Sequence, residues 1–381
     1  MYGAGNIGRG FIGKAFYESG YDVCFIDVAD DVVNKLNRDG CYPVKIISNE
    51  AEKIETVNNV YAVNGRDVDC AAEEIAAADV MATAVGVGAL LHIIPVLCAG
   101  LKKRFDEGGG PLNIIICENL IDADKYMRAL IEKEMGAQYK NVLDQNLGLV
   151  SASVGRMVPV MTQEMKEGNI LMVWVEPYDE LPVDKAAFVG EIPGIKNLVP
   201  YTPFGYYIKK KLFVHNMGHA ICAYLGWLKG YRFIYQCVAD DDIRRVANAA
   251  MLETTSALHK EYGIPKRELH DHIEDLLSRF SNQALGDTVE RVAKDPLRKL
   301  GSNDRLVGAA LYCVSMGTEP RHIIGGIAAA LRYDNPGDAA AAQMQRLINE
   351  KGIGEFLKTH CGVSNDELID MISKHSAYNM H

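Results

Sequence analysis

The chain has 381 residues, a formal net charge of −10 and 48% hydrophobic residues. This length predicts two domains with a large hydrophobic core, and the acidic balance argues against nucleic acid or an anionic membrane surface as the main partner. The nine cysteines include no C-x-x-C pair, which indicates reduced core residues rather than a disulfide framework or a zinc site. No basic segment followed by an apolar run opens the chain, so we expect no signal peptide and a cytoplasmic protein.

A glycine fingerprint, G-x-G-x-x-G, opens the chain at Gly3, Gly5 and Gly8. The first glycine permits a tight turn, the second lets the backbone approach a pyrophosphate, and the third lets a helix pack on a sheet. The helix N-terminus then offers N–H groups and a partial positive charge to the phosphates, so Asn6 and Ile7 belong to the predicted cofactor site.

The residues after the fingerprint indicate which dinucleotide binds. A predicted helix at 11–19 and a predicted strand at 21–26 lead to Asp27, which stands where an acidic side chain grips the ribose hydroxyls. No basic residue follows until Lys35, so nothing nearby suits a 2′-phosphate. The pattern therefore predicts NAD rather than NADP, although a helix N-cap is an alternative role for Asp27.

The segment before the fingerprint is too short for a strand. Only Met1 and Tyr2 precede Gly3, whereas the usual strand order 3-2-1-4-5-6 places the first strand at the centre of the sheet. We expect its two neighbours to face a gap with unpaired backbone groups, each costing about 1–3 kcal/mol if buried. A start codon assigned too far downstream is the explanation we favour.

The stretch 80–101 is apolar and long enough to span a bilayer. Two glycines and a proline interrupt it, which favours a short buried strand, a GVG turn and a helix over a membrane span. In a dinucleotide-binding fold this turn lies beside the nicotinamide ribose. We therefore assign Ala84, Val85 and Gly86 to the cofactor site.

The rest of the chain predicts an α/β protein with two domains. A strand at 112–117 ends in polar residues that belong to the ligand crevice, and strands at 148–161 and 169–175 extend a mixed sheet. Helical periodicity then dominates at 216–229, 240–262, 267–280, 304–316 and 322–333. We predict an extended Rossmann-type dinucleotide-binding domain over 1–200 and a mainly α-helical C-terminal domain over 201–381, joined in the proline-containing loop 192–205.

A second motif, K-x4-N-x2-H, occurs at Lys211, Asn216 and His219. On an α-helix with about 100° per residue, Asn216 lies roughly 140° and His219 roughly 80° around from Lys211, so all three can lean toward one cleft. An alcohol dehydrogenase without a metal needs a base for the hydroxyl proton and donors for the developing alkoxide, and these side chains can supply both. A basic helix start with a capped, buried histidine is the alternative that spacing alone favours.

Several segments, in chain order, resemble the long-chain polyol dehydrogenases: GAGNIGRGFIG, ATAVG, NIIICENL, RMVP, KLFVHNMGHAICAYLG, ERVAKDPLRKL, DRL and GIAAAL. The resemblance covers essentially the whole chain, and the lysine motif is specific to that family. It implies an extended dinucleotide-binding domain, a largely helical C-terminal domain, no metal, and Lys211 as the general base. It also implies that Asn216 and His219 polarise the reacting oxygen.

The same resemblance implies a substrate pocket that contains Asn119, Arg291 and Lys299, to which we add Arg156 from the RMVP segment. The chain departs from the family pattern V-D-R at Gly155, which lacks the carboxylate that elsewhere binds a substrate hydroxyl.

A second departure precedes the lysine motif. The acidic residue often found just before the catalytic lysine is replaced by Lys209 and Lys210. We expect these charges to lower the pKa of Lys211 further if they lie close and partly desolvated.

The basic residues near Lys299 bear on the substrate. Arg298 adjoins Lys299, and guanidinium groups bind phosphate bidentately, so we expect a sugar phosphate or polyol phosphate, with fructose 6-phosphate reduced to mannitol 1-phosphate. Alternatively, these basic residues form only a solvent-exposed surface, or the substrate is a hexuronate such as fructuronate or tagaturonate.

A different functional class, a non-catalytic NAD-binding protein, is also an alternative. We expect a monomer or homodimer.

Overall fold

The computed structural model describes residues 1–378, which divide into two compact units. The first unit is Met1–Gly205 and the second begins at Tyr206. The division falls five residues beyond the boundary predicted at 200/201. Each unit is described below by itself.

A parallel sheet of the doubly wound type organises the first unit. The strands of the unit are β1 (Val23–Asp27), β2 (Tyr42–Ile47), β3 (Glu52–Val57), β4 (Val60–Asn64), β5 (Met81–Thr83), β6 (Leu112–Ile116), β7 (Leu147–Ser151), β8 (Val173–Val175), β9 (Leu181–Asp184) and β10 (Leu198–Tyr201). Strand β4 pairs with β1, and β5, β6 and β7 pair in that order, all in parallel. The apolar run LNIII of β6 is buried along its whole length, as expected for a strand covered on both faces.

Residues 1–3 occupy the central position between β1 and β5. Tyr2 forms parallel bridges to Ile26 and Thr83, so the sheet order is β4-β1-(1–3)-β5-β6-β7, which matches the order 3-2-1-4-5-6. The backbone of Met1 and Tyr2 hydrogen-bonds to both neighbours. The predicted gap is therefore smaller than expected, because two residues already join the two halves of the sheet.

Beyond Met1 the space between the halves of the sheet remains open. A cavity of about 170 Å³ lies there, lined on one side by Val23 and Cys24 and on the other by Val80 and Met81. The N-terminal ammonium group donates a 2.7 Å hydrogen bond to the carbonyl of Cys24, and burial lowers its pKa.

Helices cover both faces of the sheet. A π-helical turn at Gly8–Gly13 leads into α1 (Lys14–Glu18), and the helices that follow in this unit are α2 (Asp30–Asp39), α3 (Val68–Ala77), α4 (Leu90–Asp106), α5 (Ala123–Met135) and α6 (Lys140–Asn146). Two hydrophobic clusters result, one under the fingerprint helix and one between α3, α4, α5 and the sheet. The apolar stretch 80–101 forms β5, a turn and α4, and no helix within 1–378 is long and apolar enough to cross a bilayer.

The extension of the sheet differs from the prediction. A three-stranded sheet with the order β3-β2-β8 and a parallel pair of β9 and β10 replace the two long strands expected at 148–161 and 169–175. Extended strand in this region is limited to β7 at 147–151 and β8 at 173–175. Residues 153–161 form irregular chain. The hairpin of β2 and β3 was not predicted.

The second unit is helical over the part that the structure describes. Its segment order begins with α7 (Gly205–Lys209) and a π-helical turn at Lys210–Asn216, and continues with α8 (Met217–Leu228), α9 (Ile234–Ala239), α10 (Asp241–Tyr262), α11 (Lys266–Phe280), α12 (Val289–Ala293), α13 (Pro296–Lys299), α14 (Val307–Ser315), α15 (Arg321–Leu331), α16 (Ala339–Thr359) and α17 (Asp366–Tyr378). Helix α10 shows why these boundaries form. Asp240 caps its first N–H groups and Gly263 ends it in the left-handed conformation.

Candidate active site

Two of the three fingerprint glycines, Gly3 and Gly8, occupy positions that only glycine fits. Gly3 has φ +98°, and a Cβ there would lie 2.5 Å from the carbonyl oxygen of Ala84. A Cβ on Gly8 would clash with the carbonyl oxygen of Gly3, so the third glycine lets the helix approach the turn. Gly5 has open space beside it, which leaves the backbone accessible to a ligand. These geometries match the three roles expected of a dinucleotide fingerprint.

The helix behind the fingerprint begins with Asn6 and Ile7 and widens into the π-helical turn. The Nδ2 atom of Asn6 lies 3.5 Å from the carbonyl oxygen of Pro159, to which it donates. π-Helical turns are rare and occur frequently at functional sites.

Asp27 ends β1 beside the fingerprint. Its Oδ2 accepts a 2.6 Å hydrogen bond from the backbone N–H of Ala4, and its Oδ1 accepts one of 2.9 Å from Ala29. The carboxylate is therefore fixed at the carboxyl edge of the sheet. The alternative role as a helix N-cap receives limited support, because the cap residue of α2 is Ala29 and Asp27 bonds its N–H group from outside the helix.

Two buried arginines, Arg9 and Arg156, donate hydrogen bonds to backbone carbonyls around the fingerprint. Arg9 donates to the carbonyl oxygens of Leu171 and Ala4, and burial lowers its pKa. Arg156 donates to the carbonyl oxygens of Glu176 at 2.9 Å and Gly10 at 3.3 Å. Its guanidinium also lies over the ring of Phe11. The structure thus gives Arg156 a structural role against the fingerprint helix, and its assignment to the substrate pocket stays a prediction.

The turn after β5 is held by the carboxylate of Glu118, one of the polar residues predicted for the ligand crevice, although this role in the turn was not predicted. The backbone N–H groups of Val85 and Gly86 donate to the two oxygens of Glu118, at 2.8 and 2.9 Å. Ala84 donates to the carbonyl of Tyr2, so the turn is tied to the sheet at both ends. The position of Glu118 directly after a buried parallel strand was the available signal.

Asn119 adjoins Glu118 and is exposed at the carboxyl end of β6, whereas Glu118 is buried. Glu118 orders the turn, and the assignment of Asn119 to the substrate pocket stays a prediction.

The lysine motif of the second unit spans the π-helical turn at Lys210–Asn216. In such a turn, hydrogen bonds link residues five apart, so Asn216 lies about one turn from Lys211. The predicted angle of roughly 140° assumed α-helical geometry and does not apply here. Lys211, Asn216 and His219 are all partly exposed, whereas Val214 and Met217 between them are buried.

Lys209 does not carry an uncompensated charge toward this motif. Its Nζ lies 2.6 Å from both oxygens of Glu261 and also lies over the rings of Tyr262 and Tyr312. Burial alone would lower the pKa of Lys209, but the hydrogen bond to Glu261 and the interaction with Tyr262 raise it. Glu261 therefore compensates the charge of Lys209, and the expected lowering of the Lys211 pKa stays a prediction.

His219 is fixed on two sides. Its ring stacks on Phe280, with centroids 4.6 Å apart and planes 11° from parallel, and its Nε2 lies 2.9 Å from Oδ2 of Asp287. Asp287 also accepts from Nε and Nη2 of Arg291, at 2.8 and 2.6 Å. Burial would raise the pKa of Asp287, but His219 and Arg291 lower it overall, so the carboxylate is ionised.

A buried imidazole lies next to this histidine. Burial lowers the pKa of His215 well below its usual value, and the nearby charges of Arg279, His219, His272 and Lys211 act in the same direction. His215 is therefore neutral, so the buried side of the motif carries no charge from this ring.

The remaining predicted substrate residues form a cluster of ion pairs. Arg298 donates from Nε to Asp295 and from Nη1 to Asp304, each at 2.9 Å. Arg305 bonds the other oxygen of Asp304 at 2.8 Å. Lys299 is buried, and burial together with the charges of Arg305 and Arg298 lowers its pKa to about 7.

Comparison with known proteins decides the family. The model of the mannitol dehydrogenase Rossmann domain matches residues 1–197, and that of the mannitol dehydrogenase C-terminal domain matches residues 204–377. The chain belongs to the mannitol dehydrogenase family. The predicted resemblance and the prediction of an oxidoreductase acting on CH–OH groups are thereby confirmed at the level of the family.

Individual members of the mannitol dehydrogenase family match over nearly the whole chain. Mannitol-1-phosphate 5-dehydrogenase of Bacillus licheniformis is 38% identical over 376 residues, covering 98% of both chains. The enzyme of the same name from Bacillus subtilis is 37% identical over 372 residues, covering 97% of both chains.

Two solved structures share the two-domain fold. Mannitol 2-dehydrogenase of Pseudomonas fluorescens, solved as a ternary complex with NAD and D-mannitol, superposes with a TM-score of 0.80 at 17% identity, covering 100% of this chain and 91% of that one. A D-sorbitol dehydrogenase gives a TM-score of 0.83 at 14% identity, covering 100% of this chain and 92% of that one. The predicted fold class is confirmed.

Within residues 1–378, no group of three or more His, Cys, Asp or Glu side chains could hold a metal ion. No disulfide joins any of the nine cysteines, all of which lie in the described residues. For six of them (Cys24, Cys98, Cys222, Cys237, Cys313 and Cys361), burial raises the thiol pKa well above its usual value. These thiols act as core side chains rather than as reactive groups.

Proposed function

We propose that this member of the mannitol dehydrogenase family is an NAD-dependent polyol phosphate dehydrogenase that interconverts mannitol 1-phosphate and fructose 6-phosphate. The observation that carries the proposal is the full-length similarity, at 36–38% identity, to relatives named mannitol-1-phosphate 5-dehydrogenase. The placement of Lys211 and Asn216 about one turn apart supports it independently.

The fingerprint region fits NAD. The open space at Gly5 would admit a pyrophosphate, and the carboxylate of Asp27 would accept hydrogen bonds from the ribose hydroxyls. The ordered turn at Val85 and Gly86 would border the nicotinamide ribose. NAD, when bound, supplies the hydride acceptor for alcohol oxidation and the hydride donor for ketone reduction.

The second unit supplies the acid–base chemistry. During alcohol oxidation Lys211, as a neutral amine, takes the proton of the reacting hydroxyl, and during ketone reduction it returns that proton. Asn216 and His219 donate hydrogen bonds to the oxygen as its negative charge develops. These donors stabilise the transition state more than the neutral ground state, which is the condition for faster turnover.

The basic cluster around Lys299 fits a phosphate. Arg298 and Arg305 are already ionic, and Lys299 with its lowered pKa would gain a proton when a phosphate dianion binds nearby. A phosphate must compete with Asp295 and Asp304 for Arg298. Such competition selects for a strongly charged group over a hydroxyl.

The Lys211→Ala variant tests the proposed mechanism. We expect turnover of fructose 6-phosphate to fall by about 10²–10⁴-fold, because a general base contributes that much, while NADH still binds. The Lys209→Ala variant, which removes a neighbouring lysine paired with Glu261, serves as the matched control and retains turnover within a few fold. Initial rates measure turnover, and NADH fluorescence titrations measure cofactor binding.

Three results would contradict the proposal in different ways. A Lys211→Ala enzyme with more than about a tenth of wild-type turnover removes Lys211 as the base. A higher kcat/KM with fructuronate or tagaturonate than with fructose 6-phosphate replaces the phosphate by a hexuronate. NADH binding without reduction of any ketose in a panel indicates a non-catalytic NAD-binding protein.

A further inference from the structure

The ring of His219 is held on two sides. Stacking on Phe280 fixes the plane of the ring, and Oδ2 of Asp287 lies 2.9 Å from Nε2. Nε2 is buried, so the carboxylate of Asp287 is the charged group that faces it. A buried imidazole nitrogen held against a carboxylate calls for a functional explanation.

Asp287 is itself strongly fixed. Its side chain is 11% exposed, and Oδ1 accepts two hydrogen bonds from the guanidinium of Arg291. Its backbone carbonyl accepts a 2.9 Å hydrogen bond from the N–H of Ile234. The other oxygen, Oδ2, is thereby directed at the imidazole of His219. A carboxylate anchored on one side by arginine and facing histidine on the other restricts the ring position and its tautomer.

We propose that Asp287 is a positioning residue for catalysis, which holds Nε2 of His219 and so fixes the direction in which the other ring nitrogen, Nδ1, faces the reacting oxygen. This inference rests on the proposed function, because it requires His219 to polarise the substrate oxygen. Nε2 is buried against Asp287, so it is not the atom that meets the substrate. The opposite ring nitrogen is the one left for the reacting oxygen.

A purely structural role makes a different prediction. If Asp287 only pairs with Arg291 near the start of α12, its loss should lower stability and should affect turnover independently of His219. If it acts through His219, its substitution should lower kcat and should have no further effect once His219 is gone. A double-mutant cycle separates the two roles.

The test compares four enzymes at one pH: wild type, Asp287→Asn, His219→Gln, and the double variant. We expect Asp287→Asn to lower kcat for fructose 6-phosphate by about 10–100-fold, as is typical for partners that orient a functional histidine. KM for the sugar and the NADH dissociation constant should change less than about threefold. In the His219→Gln background the same substitution should change kcat less than about twofold.

The control variant is Asp240→Asn. Asp240 is a carboxylate of similar exposure, 14%, that pairs with Lys229 and caps α10. Asparagine preserves the cap, so this enzyme should keep kcat within twofold of the wild type. Nitrogen NMR of histidine-labelled protein adds a readout independent of turnover. The His219 signal, assigned by its absence in His219→Gln, should shift in Asp287→Asn and stay in place in Asp240→Asn.

The contrary outcomes are distinct. A kcat for Asp287→Asn within threefold of the wild type, or a loss that adds fully to that of His219→Gln, overturns the role of Asp287 while the proposed function stands. An unshifted His219 signal overturns the contact itself. A wild-type enzyme that reduces no ketose overturns the proposed function, and the role of Asp287 falls with it.

Discussion

At the scale of single residues, several side chains that were predicted to bind ligands also bind other residues of the protein. Asp27, predicted to bind the ribose, also orders the fingerprint turn through the N–H of Ala4. Arg291, predicted for the substrate pocket, is bound to Asp287. A residue's type and spacing indicate which chemistry it can perform, but its partners decide how much of that capacity is left for a ligand.

Asp27 provides the residue-scale prediction. The Asp27→Ala variant should bind NADH about 10–100-fold more weakly, since a hydrogen bond to a charged group contributes about 1.5–3 kcal/mol. It should also discriminate less against NADPH, because the carboxylate that repels a 2′-phosphate is gone. Fluorescence titrations with both cofactors measure this.

The matched control for that variant is Asp31→Ala, which removes an exposed acidic residue from the first turn of α2. It should leave both dissociation constants unchanged. Equal affinities of wild type and Asp27→Ala for both cofactors would remove Asp27 from the cofactor site, and a similar loss in Asp31→Ala would point to general electrostatics instead.

At the scale of elements, periodic apolar patterns predicted most helices of the second unit because their buried faces repeat every 3.6 residues. Helices α10 and α11, for example, lie at 241–262 and 266–280 where 240–262 and 267–280 were expected. The π-helical turn at Lys210–Asn216 could not be predicted in this way. An i to i+5 pattern leaves no signal in an α-helical wheel, although it decides how Lys211 and Asn216 are placed.

In the first unit, the sequence likewise predicts some strands and not others. The buried run of β6 was evident from composition. The β2–β3 hairpin was not, because β3 is mostly exposed and reads EKIETV, without the apolar alternation of a half-buried strand. The central position of residues 1–3 was missed because a segment of two or three residues carries no periodicity. Its backbone hydrogen bonds alone place it in the sheet.

The turn after β5 provides the element-scale prediction. The Glu118→Gln variant should weaken NADH binding roughly tenfold or more, because a neutral amide offers one acceptor oxygen where the carboxylate offers two for the N–H groups of Val85 and Gly86. The kcat at saturating NADH should change less. Glu107→Gln, at the exposed C-terminal end of α4, is the control and should bind NADH normally. A Glu118→Gln enzyme with wild-type affinity would show that the order of this turn does not matter for the cofactor.

At the scale of the whole molecule, charge opposes the proposed substrate. The formal net charge of −10 repels a phosphate dianion, so binding requires a local excess of cations. In the proposed function the cluster of Arg298, Lys299 and Arg305 would supply it, while ion pairs with Asp295 and Asp304 hold the two arginines in place. Polyol dehydrogenases share this fold whether or not their substrate is phosphorylated. The basic cluster is therefore the feature that would distinguish a phosphorylated sugar from a free one.

Arg298 tests that distinction. The Arg298→Gln variant should raise KM for fructose 6-phosphate about tenfold or more, because a charge-assisted contact of about 1.5–3 kcal/mol is lost and the carboxylates of Asp295 and Asp304 are left to repel the phosphate. KM for free fructose should change much less, since it has no phosphate to lose. The control is Arg245→Gln, an exposed arginine paired with Asp242 at 2.7 Å, which should leave both KM values unchanged. Steady-state rates with both sugars decide the matter: equal increases for fructose and its phosphate would mean that Arg298 shapes the fold of the cluster rather than binding phosphate.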